Sequence, residues 1–92
     1  MNAPYRSTAV FDETTLPDAL RREHRTKPGV WGVIRVLEGK LRLNLADGGE
    51  EILTPNRPGL VLPEQAHRVE PIGPMRMQVD FYDQPPANTE VR

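Results

Sequence analysis

The sequence predicts an all-β fold, a small antiparallel barrel or jelly roll, from three observations. Ten prolines are spread along 92 residues and leave no room for a long helix. Seven or eight short stretches alternate apolar with polar residues or are rich in β-branched side chains. Glycines and prolines separate these stretches as turns. Short strands joined by many turns are typical of small barrels and jelly rolls.

The length and composition predict a single domain over residues 1–92. An apolar fraction of 37% supplies one hydrophobic core. Residues 1–9 are expected to form a lead-in arm and residues 83–92 a polar tail. A chain of this size buries only about 60–65% of the surface that its unfolded form exposes. Pairing with a second copy would bury more, so we expect a homodimer.

The charge balance and the residue types exclude several classes of protein. A net charge of −1, from 12 basic and 13 acidic side chains, lacks the basic excess of a nucleic-acid surface. Without cysteine, the chain forms no disulfide and no thiolate site. No apolar run approaches the roughly 20 residues of a membrane span, and the N-terminus lacks the pattern of a signal peptide. We therefore expect a cytoplasmic protein that binds neither nucleic acid nor membranes.

The segment before the first turn is interpreted as a strand over residues 19–27. Pro17–Asp18 is also a fair start for a short helix. We favour the strand because its alternation places Leu20 and His24 on the same face.

The remaining strands follow from alternation and turn residues. They are predicted over residues 30–37, 40–45, 50–53, 60–62, 67–71 and 75–82. Glu38–Gly39 is predicted as a hairpin turn and Gly73–Pro74 as a further turn. The inward side chains of the clearest strand are Leu41, Leu43 and Leu45. On the inner face of the strand before it, Gly32 leaves space where a larger side chain would fill the interior.

Two histidines, His24 and His67, are the candidate functional residues. Each lies at the edge of a predicted strand near a proline turn, and imidazole is both a common metal ligand and a common proton carrier. The alternative is that each is an ordinary surface or hydrogen-bonded histidine. We predict that the two rings converge in one pocket, where they could bind a divalent metal such as zinc, iron or nickel.

A two-histidine site lacks the third protein ligand that zinc or iron normally takes. Glu70 and Asp80 are the carboxylates that could supply it. Glu70 lies three residues past His67, so on a strand it points to the opposite face, and Asp80 has the parity of the polar face of its strand. The alternative for both is a surface or salt-bridged carboxylate.

Two further residues are candidates for the pocket itself. Trp31 forms either a pocket wall or part of the core or a dimer interface. Lys27 is either a surface charge or the group that holds an oxyanion at the pocket mouth. The basic cluster to which Lys27 belongs forms either a solvated face or an attractive surface for an anionic ligand; its other members are Arg21, Arg22 and Arg25.

Several stretches together resemble the small cupins related to the tellurite-resistance TehB N-terminal domain and to YeaR-like proteins. In chain order these are TLPDAL, REHRTKPGVWG, VIRVLEGKLRL, PGLVLPEQAHRV and MQVDFY. The resemblance covers about residues 10–82. It implies a cupin-like double-stranded β-helix, often a homodimer, with a possible metal in the barrel mouth.

The chain departs from the general cupin metal pattern, and the resemblance must be carried over residue by residue. His67 matches the last histidine of that pattern, and His24 falls near the first. Thr26 stands near the place of the second histidine, and Gly32 takes the place of the glutamate. The resemblance also does not imply methyl transfer, which belongs to a separate domain, and this sequence has no nucleotide-binding motif.

Three functions remain open from the sequence. The first is a binding module for a small molecule or oxyanion, with or without metal, in a tellurite- or nitrosative-type stress response. The second is a metal-dependent cupin enzyme, such as a dioxygenase or isomerase, which needs a fuller ligand set or a positioned base. The third is a structural dimerisation domain with Trp31 in its interface.

Overall fold

The computed structural model describes residues 3–86, so residues 87–92 of the predicted tail lie outside it. Six strands and one short helix form its regular structure. In chain order these are β1 (Arg6–Ser7), β2 (Phe11–Asp12), α1 (Asp18–Arg21), β3 (Trp31–Leu45), β4 (Glu50–Leu53), β5 (Gly59–Val61) and β6 (His67–Tyr82). The prediction of an all-β chain is confirmed, with six strands where seven or eight were expected.

Strands β3 and β6 form the frame of the molecule. They pair antiparallel along their whole length, from Trp31 opposite Tyr82 to Leu45 opposite His67. The path through the sheet is β1-β6-β3-β4, and β2 pairs with β6 while β5 pairs with β3. Every strand of the described chain therefore pairs with β3 or β6, in one antiparallel sheet. Closure of this sheet into a cupin-type jelly roll stays a prediction.

The predicted hairpin at Glu38–Gly39 and the predicted turn at Gly73–Pro74 are wrong. Both dipeptides lie inside continuous strands, and the pairing of β3 with β6 shifts register on either side of Glu38. Gly39 has a φ of 77° and Gly73 a φ of 71°. Glycine adopts this left-handed conformation in β-bulges as readily as in hairpin turns. The two glycines mark irregular positions in the two long strands rather than chain reversals.

The predicted strand over residues 19–27 is also wrong, because a one-turn helix occupies Asp18–Arg21. Pro17 precedes this helix and Asp18 supplies an acidic side chain in its first turn, where the helix dipole favours negative charge. Only His24 keeps a strand contact, an isolated bridge to His67. Leu20 and His24 still line one cavity, as the strand interpretation required.

The core lies on the inner face of the sheet, and its side chains come from both halves of β3 and β6. The predicted inward alternation is confirmed at Leu41 and Leu43, both 0% exposed, while Leu45 is partly buried and packs against the core. One cluster joins residues from either side of the bulges, so the two halves of the sheet face each other across the core. Its buried members are Leu16, Ile34, Val36, Leu41, Leu43, Leu53, Val61, Val69, Met75, Met77 and Val79.

Among the described residues, no helix is long and apolar enough to cross a membrane. The only helix there has four residues.

Asp12 organises the turn after β2 through hydrogen bonds to its carboxylate. The Oδ1 atom accepts bonds from the backbone N–H and the hydroxyl of Thr14, at 2.8 and 2.7 Å, and from the same two groups of Thr15, at 2.9 and 3.1 Å. These donors stabilise the charged carboxylate and lower the pKa of Asp12 to about 2.

We expect a carboxyl NMR titration to give Asp12 a pKa of about 2, against an ordinary value of 3.8. Because the pKa is lower in the folded state, the contribution of Asp12 to stability is complete above the unfolded value. It is lost as the pH falls from there through the folded value. In Asp12→Asn, the free energy of unfolding should therefore depend less on pH across this acidic range. A measured pKa near 3.8 would contradict the hydrogen-bond arrangement.

Candidate functional site

The structure brings His24 and His67 together through their backbones. The N–H of His24 donates to the carbonyl of His67 at 2.8 Å, and the N–H of His67 donates to the carbonyl of His24 at 2.9 Å. This reciprocal pair fixes the two Cα atoms side by side. The ring centroids lie 5.5 Å apart, with the ring planes at 82° to each other. Two segments about forty residues apart in the chain thus form one imidazole pair.

His67 is the more enclosed ring, with 7% of its surface exposed. Burial lowers the pKa of His67, and the nearby His24 lowers it further, while the hydrogen bond to the Gln65 carbonyl acts in the opposite direction. The Nδ1 atom lies 3.0 Å from that carbonyl oxygen. Because a carbonyl oxygen only accepts hydrogen bonds, neutral His67 carries its proton on Nδ1. Its Nε2 atom therefore presents a lone pair.

The imidazole pair borders an apolar cavity of about 40 Å³ inside the sheet. Gly32 is part of its wall, in agreement with the space expected from a residue without a side chain. The lining residues are Thr8, Leu20, His24, Thr26, Gly32, Ile34, Val61, His67, Val69, Met77, Val79 and Phe81. Apart from the two imidazoles, the only polar side chains in this wall are those of the two threonines.

Thr26 has a structural task in the cavity wall. Its hydroxyl donates to the carbonyl of Leu62 at 3.1 Å and accepts from the N–H of Glu64 at 3.1 Å. These bonds tie the segment that follows His24 to the loop that precedes His67. With its hydroxyl engaged in both directions, Thr26 holds the two histidine segments in place, and the imidazoles are left as the polar groups that can meet a ligand.

A depression of about 250 Å³ lies on the surface beside the cavity, and it is cationic. The cavity and the depression share His24, Thr26 and Phe81 in their walls. The remaining wall residues of the depression are Tyr5, Arg6, Arg25, Lys27 and Val30, so none of the eight is acidic. Lys27 is exposed in the same wall as His24, which fits both of its predicted roles, a surface charge and a group that holds an oxyanion.

The three basic side chains of this depression lack carboxylate partners among the described residues. Other arginines of the sheet do form ion pairs, such as Arg35 with Asp80 at 2.6 Å. By contrast, Arg25 donates to the carbonyl of Glu64 at 3.3 Å, and the guanidinium carbon of Arg6 lies 5.8 Å from the centroid of the Phe81 ring. Three positive charges, none paired with a carboxylate of residues 3–86, are therefore concentrated beside the cavity.

The predicted third ligands lie elsewhere. Glu70 accepts a hydrogen bond from Asn44 at 2.9 Å and forms an ion pair with Arg68 at 3.4 Å. Asp80 is 5% exposed and is held by Arg35 and by the hydroxyl of Ser7 at 2.7 Å. Both carboxylates thus match the salt-bridged alternative.

Trp31 likewise does not line the cavity or the depression. It is half-buried at the start of β3, opposite Tyr82.

Within residues 3–86, no group of three or more histidine, cysteine or acidic side chains is placed to hold a metal ion. The donor set is the imidazole pair alone, and the lone pair on Nε2 of His67 fits a metal as well as it fits a hydrogen-bond donor. Two nitrogen ligands fall short of the three that zinc or iron usually takes from the protein. An ion bound here would need water or a ligand in its remaining positions.

Sequence reasoning missed Arg6 and Thr8 as site residues because the first nine residues were interpreted as an arm. Arg6 pairs with Phe81 in the sheet, and the Thr8 hydroxyl accepts from the N–H of Val79 at 3.1 Å. No local pattern in the first nine residues indicates this pairing. The apolar alternation that ends at Phe81 is the signal that could have located the receiving strand.

The fold and the site define a small all-β domain in which an imidazole pair borders an apolar cavity, and one of the two rings, His24, also borders a cationic surface depression. The chain belongs to the TehB-like domain family, whose model matches residues 6–79.

The chain is similar to the probable S-adenosyl-L-methionine-dependent methyltransferase TehB of Haemophilus influenzae. It is 38% identical to the protein of strain Rd over 72 residues, which cover 72% of this chain and 25% of that protein. The protein of strain 10810 is 36% identical over the same length. The chain therefore spans about a quarter of the length of the curated relatives that it matches.

Two solved structures have a similar fold. The crystal structure of Haemophilus influenzae TehB matches with a TM-score of 0.77 at 32% identity, covering 85% of this chain and 30% of that one. A protein from Escherichia coli strain K12 matches with a TM-score of 0.80 at 21% identity, covering 90% of this chain and 91% of that one. The second likeness is one of fold alone.

Proposed function

We propose that this chain is a binding module for a small anionic molecule or oxyanion, held at the His24–His67 pair. The observation that supports it most is the junction of the two recesses at His24, Thr26 and Phe81. Uncompensated positive charge on one side attracts an anion, and the enclosed imidazole on the other side offers a directional contact. A small ligand with a charged end and a polar end fits both.

The relation to the TehB family supports a role in a tellurite-type stress response, and a nitrosative-type response stays a prediction from the sequence. Methyl transfer is named for relatives of which the matched 72 residues make up only 25%, so we do not extend it to this domain. A homodimer and a cytoplasmic location remain predictions.

The proposed function is tested by titrating the full chain with tellurite, selenite and acetate while recording amide NMR spectra. We expect shifts around His24 and His67. Removing one positive charge should weaken binding roughly threefold to fivefold in either Arg25→Gln or Lys27→Gln, since an exposed charge contributes up to about 1 kcal/mol. Lys40→Gln, which removes an exposed charge from β3 outside both recesses, is the control. Absence of any anion-dependent shift would refute the proposal.

A second prediction concerns metal. We expect protein prepared without chelators to contain between a small fraction of an ion and one divalent ion per chain, because two imidazoles form a weak site. His24→Ala and His67→Ala should each abolish the content measured by elemental analysis, whereas Glu70→Gln should leave it unchanged. Metal-free wild-type protein would rule out the metal-containing version of the function and leave direct anion binding.

A further inference from the structure

The two recesses make different demands on a ligand. The depression presents the positive charges of Arg6, Arg25 and Lys27, so the group that lies there is an anion. The cavity wall presents His67, which is more than nine-tenths buried, and none of the described residues hydrogen-bonds its Nε2 atom. In the neutral ring the Nδ1–H group donates a hydrogen bond to the carbonyl of Gln65, so Nε2 can only accept a hydrogen bond. A fully deprotonated anion would meet this lone pair with a second lone pair, which is repulsive.

The size of the cavity limits what can enter it. Its volume of about 40 Å³ is about three times the roughly 10–15 Å³ that one water molecule needs. A small group such as a hydroxymethyl therefore fits inside, and the rest of the ligand lies in the larger depression. Both recesses are bordered by His24, Thr26 and Phe81, so one small molecule bound across this junction would reach both.

From these observations we infer that the ligand is a small monoanion that also carries a hydroxyl group. Its anionic oxygens lie over Arg6, Arg25 and Lys27, and its hydroxyl donates a hydrogen bond to Nε2 of His67. Two kinds of molecule have this chemistry: a short hydroxy acid, and an inorganic oxyanion that retains one proton. This inference rests on the proposed function and specifies the ligand class of the same site.

Matched ligand pairs test the inference on the full chain, freed of metal by a chelator and studied by calorimetry near neutral pH. Glycolate and acetate differ by one hydroxyl group at equal charge. Selenite and selenate differ because, near neutral pH, selenite keeps one proton and selenate keeps none. We expect glycolate to bind about 5- to 10-fold more tightly than acetate, which is the usual contribution of one hydrogen bond. Selenite should bind more tightly than selenate despite its smaller charge.

Variants separate the hydroxyl contact from the general attraction of anions. His67→Phe removes the lone pair and fills the same buried space, so it should reduce the glycolate-to-acetate ratio to about one. Lys27→Gln should weaken glycolate and acetate by the same factor, leaving their ratio intact. Lys40→Gln, outside both recesses, should change neither. If His67→Phe does not fold, the two ligand pairs on the unaltered chain still decide the question.

Each outcome has a distinct meaning. A hydroxyl preference in the carboxylate pair alone identifies hydroxy acids as the source, and a preference in the selenium pair alone identifies protonated oxyanions. Equal binding within both pairs overturns the inference and leaves the proposed anion-binding function standing. Absence of binding by all four anions overturns both.

Discussion

Gly39→Ala is expected to destabilise the fold by about 3 kcal/mol or more. Gly39 has a φ of 77°, where a side chain costs roughly 1–2 kcal/mol. An added Cβ would also overlap the carbonyl oxygen of Pro74 and lie 3.0 Å from the Cα of Met75, so the backbone of β6 would have to move. Urea denaturation monitored by the fluorescence of Trp31 measures the loss.

Gly73→Ala is the matched control for this prediction. Gly73 has nearly the same backbone conformation, with a φ of 71°, but an added Cβ there meets nothing within 4 Å. The Gly73→Ala substitution should therefore lower the free energy of unfolding only by the cost of the backbone conformation, about 1–2 kcal/mol. Equal losses of unfolding free energy in the two variants would show that the close approach of β3 and β6 at Gly39 adds nothing to the destabilisation.

Gly32→Ala is expected to weaken glycolate binding about tenfold or more while leaving the urea midpoint nearly unchanged. The added methyl group would lie 3.7 Å from Cγ2 of Thr26 and 3.8 Å from the nearest atoms of Val61 and Val79, which are ordinary contacts. It would nevertheless take up most of a cavity of about 40 Å³. Tenfold corresponds to about 1.4 kcal/mol, roughly the hydrogen bond that the hydroxyl would lose.

The same calorimetric titration measures this effect, and the acetate titration serves as its internal control. Acetate has no hydroxyl to place in the cavity, so its affinity should fall less than that of glycolate. A Gly32→Ala protein that binds glycolate as tightly as the unaltered chain would show that the ligand does not enter the cavity.

The inward and outward faces of the strands could be predicted from sequence because a period of two residues is a local signal. Leu41, Leu43 and Met77 are buried as that period requires. The course of the long strands could not be predicted in this way. A glycine with positive φ serves a hairpin or a bulge equally well, and the choice at Gly39 depends on the pairing of Glu38 with Arg76 far along the chain.

The site likewise combines residues that a local sequence signal reveals with residues that only distant strand pairing brings in. His24 and His67 stand out as the only two histidines, each beside a proline turn, and the structure places them together. The contribution of Arg6 depends on β1 joining β6, where Ser7 hydrogen-bonds Asp80 across 73 positions of sequence. No pattern confined to either segment carries that information. Prediction from sequence therefore found the imidazole pair and only part of its charged surroundings.

The dependence of every strand on β3 and β6 also determines when this chain can fold. Among the described residues, β1 and β2 pair with β6, which ends at Tyr82, so neither can join the sheet until the chain as far as Tyr82 has left the ribosome. Partnerships this distant in sequence must close long loops before they gain stabilising contacts, which slows folding to the millisecond-to-second range of β domains. During synthesis β3 can pair with β4 and β5 first, but the apolar side chains that pack against β6 stay exposed until β6 emerges, and this interval is when chaperones or aggregation would act on the chain.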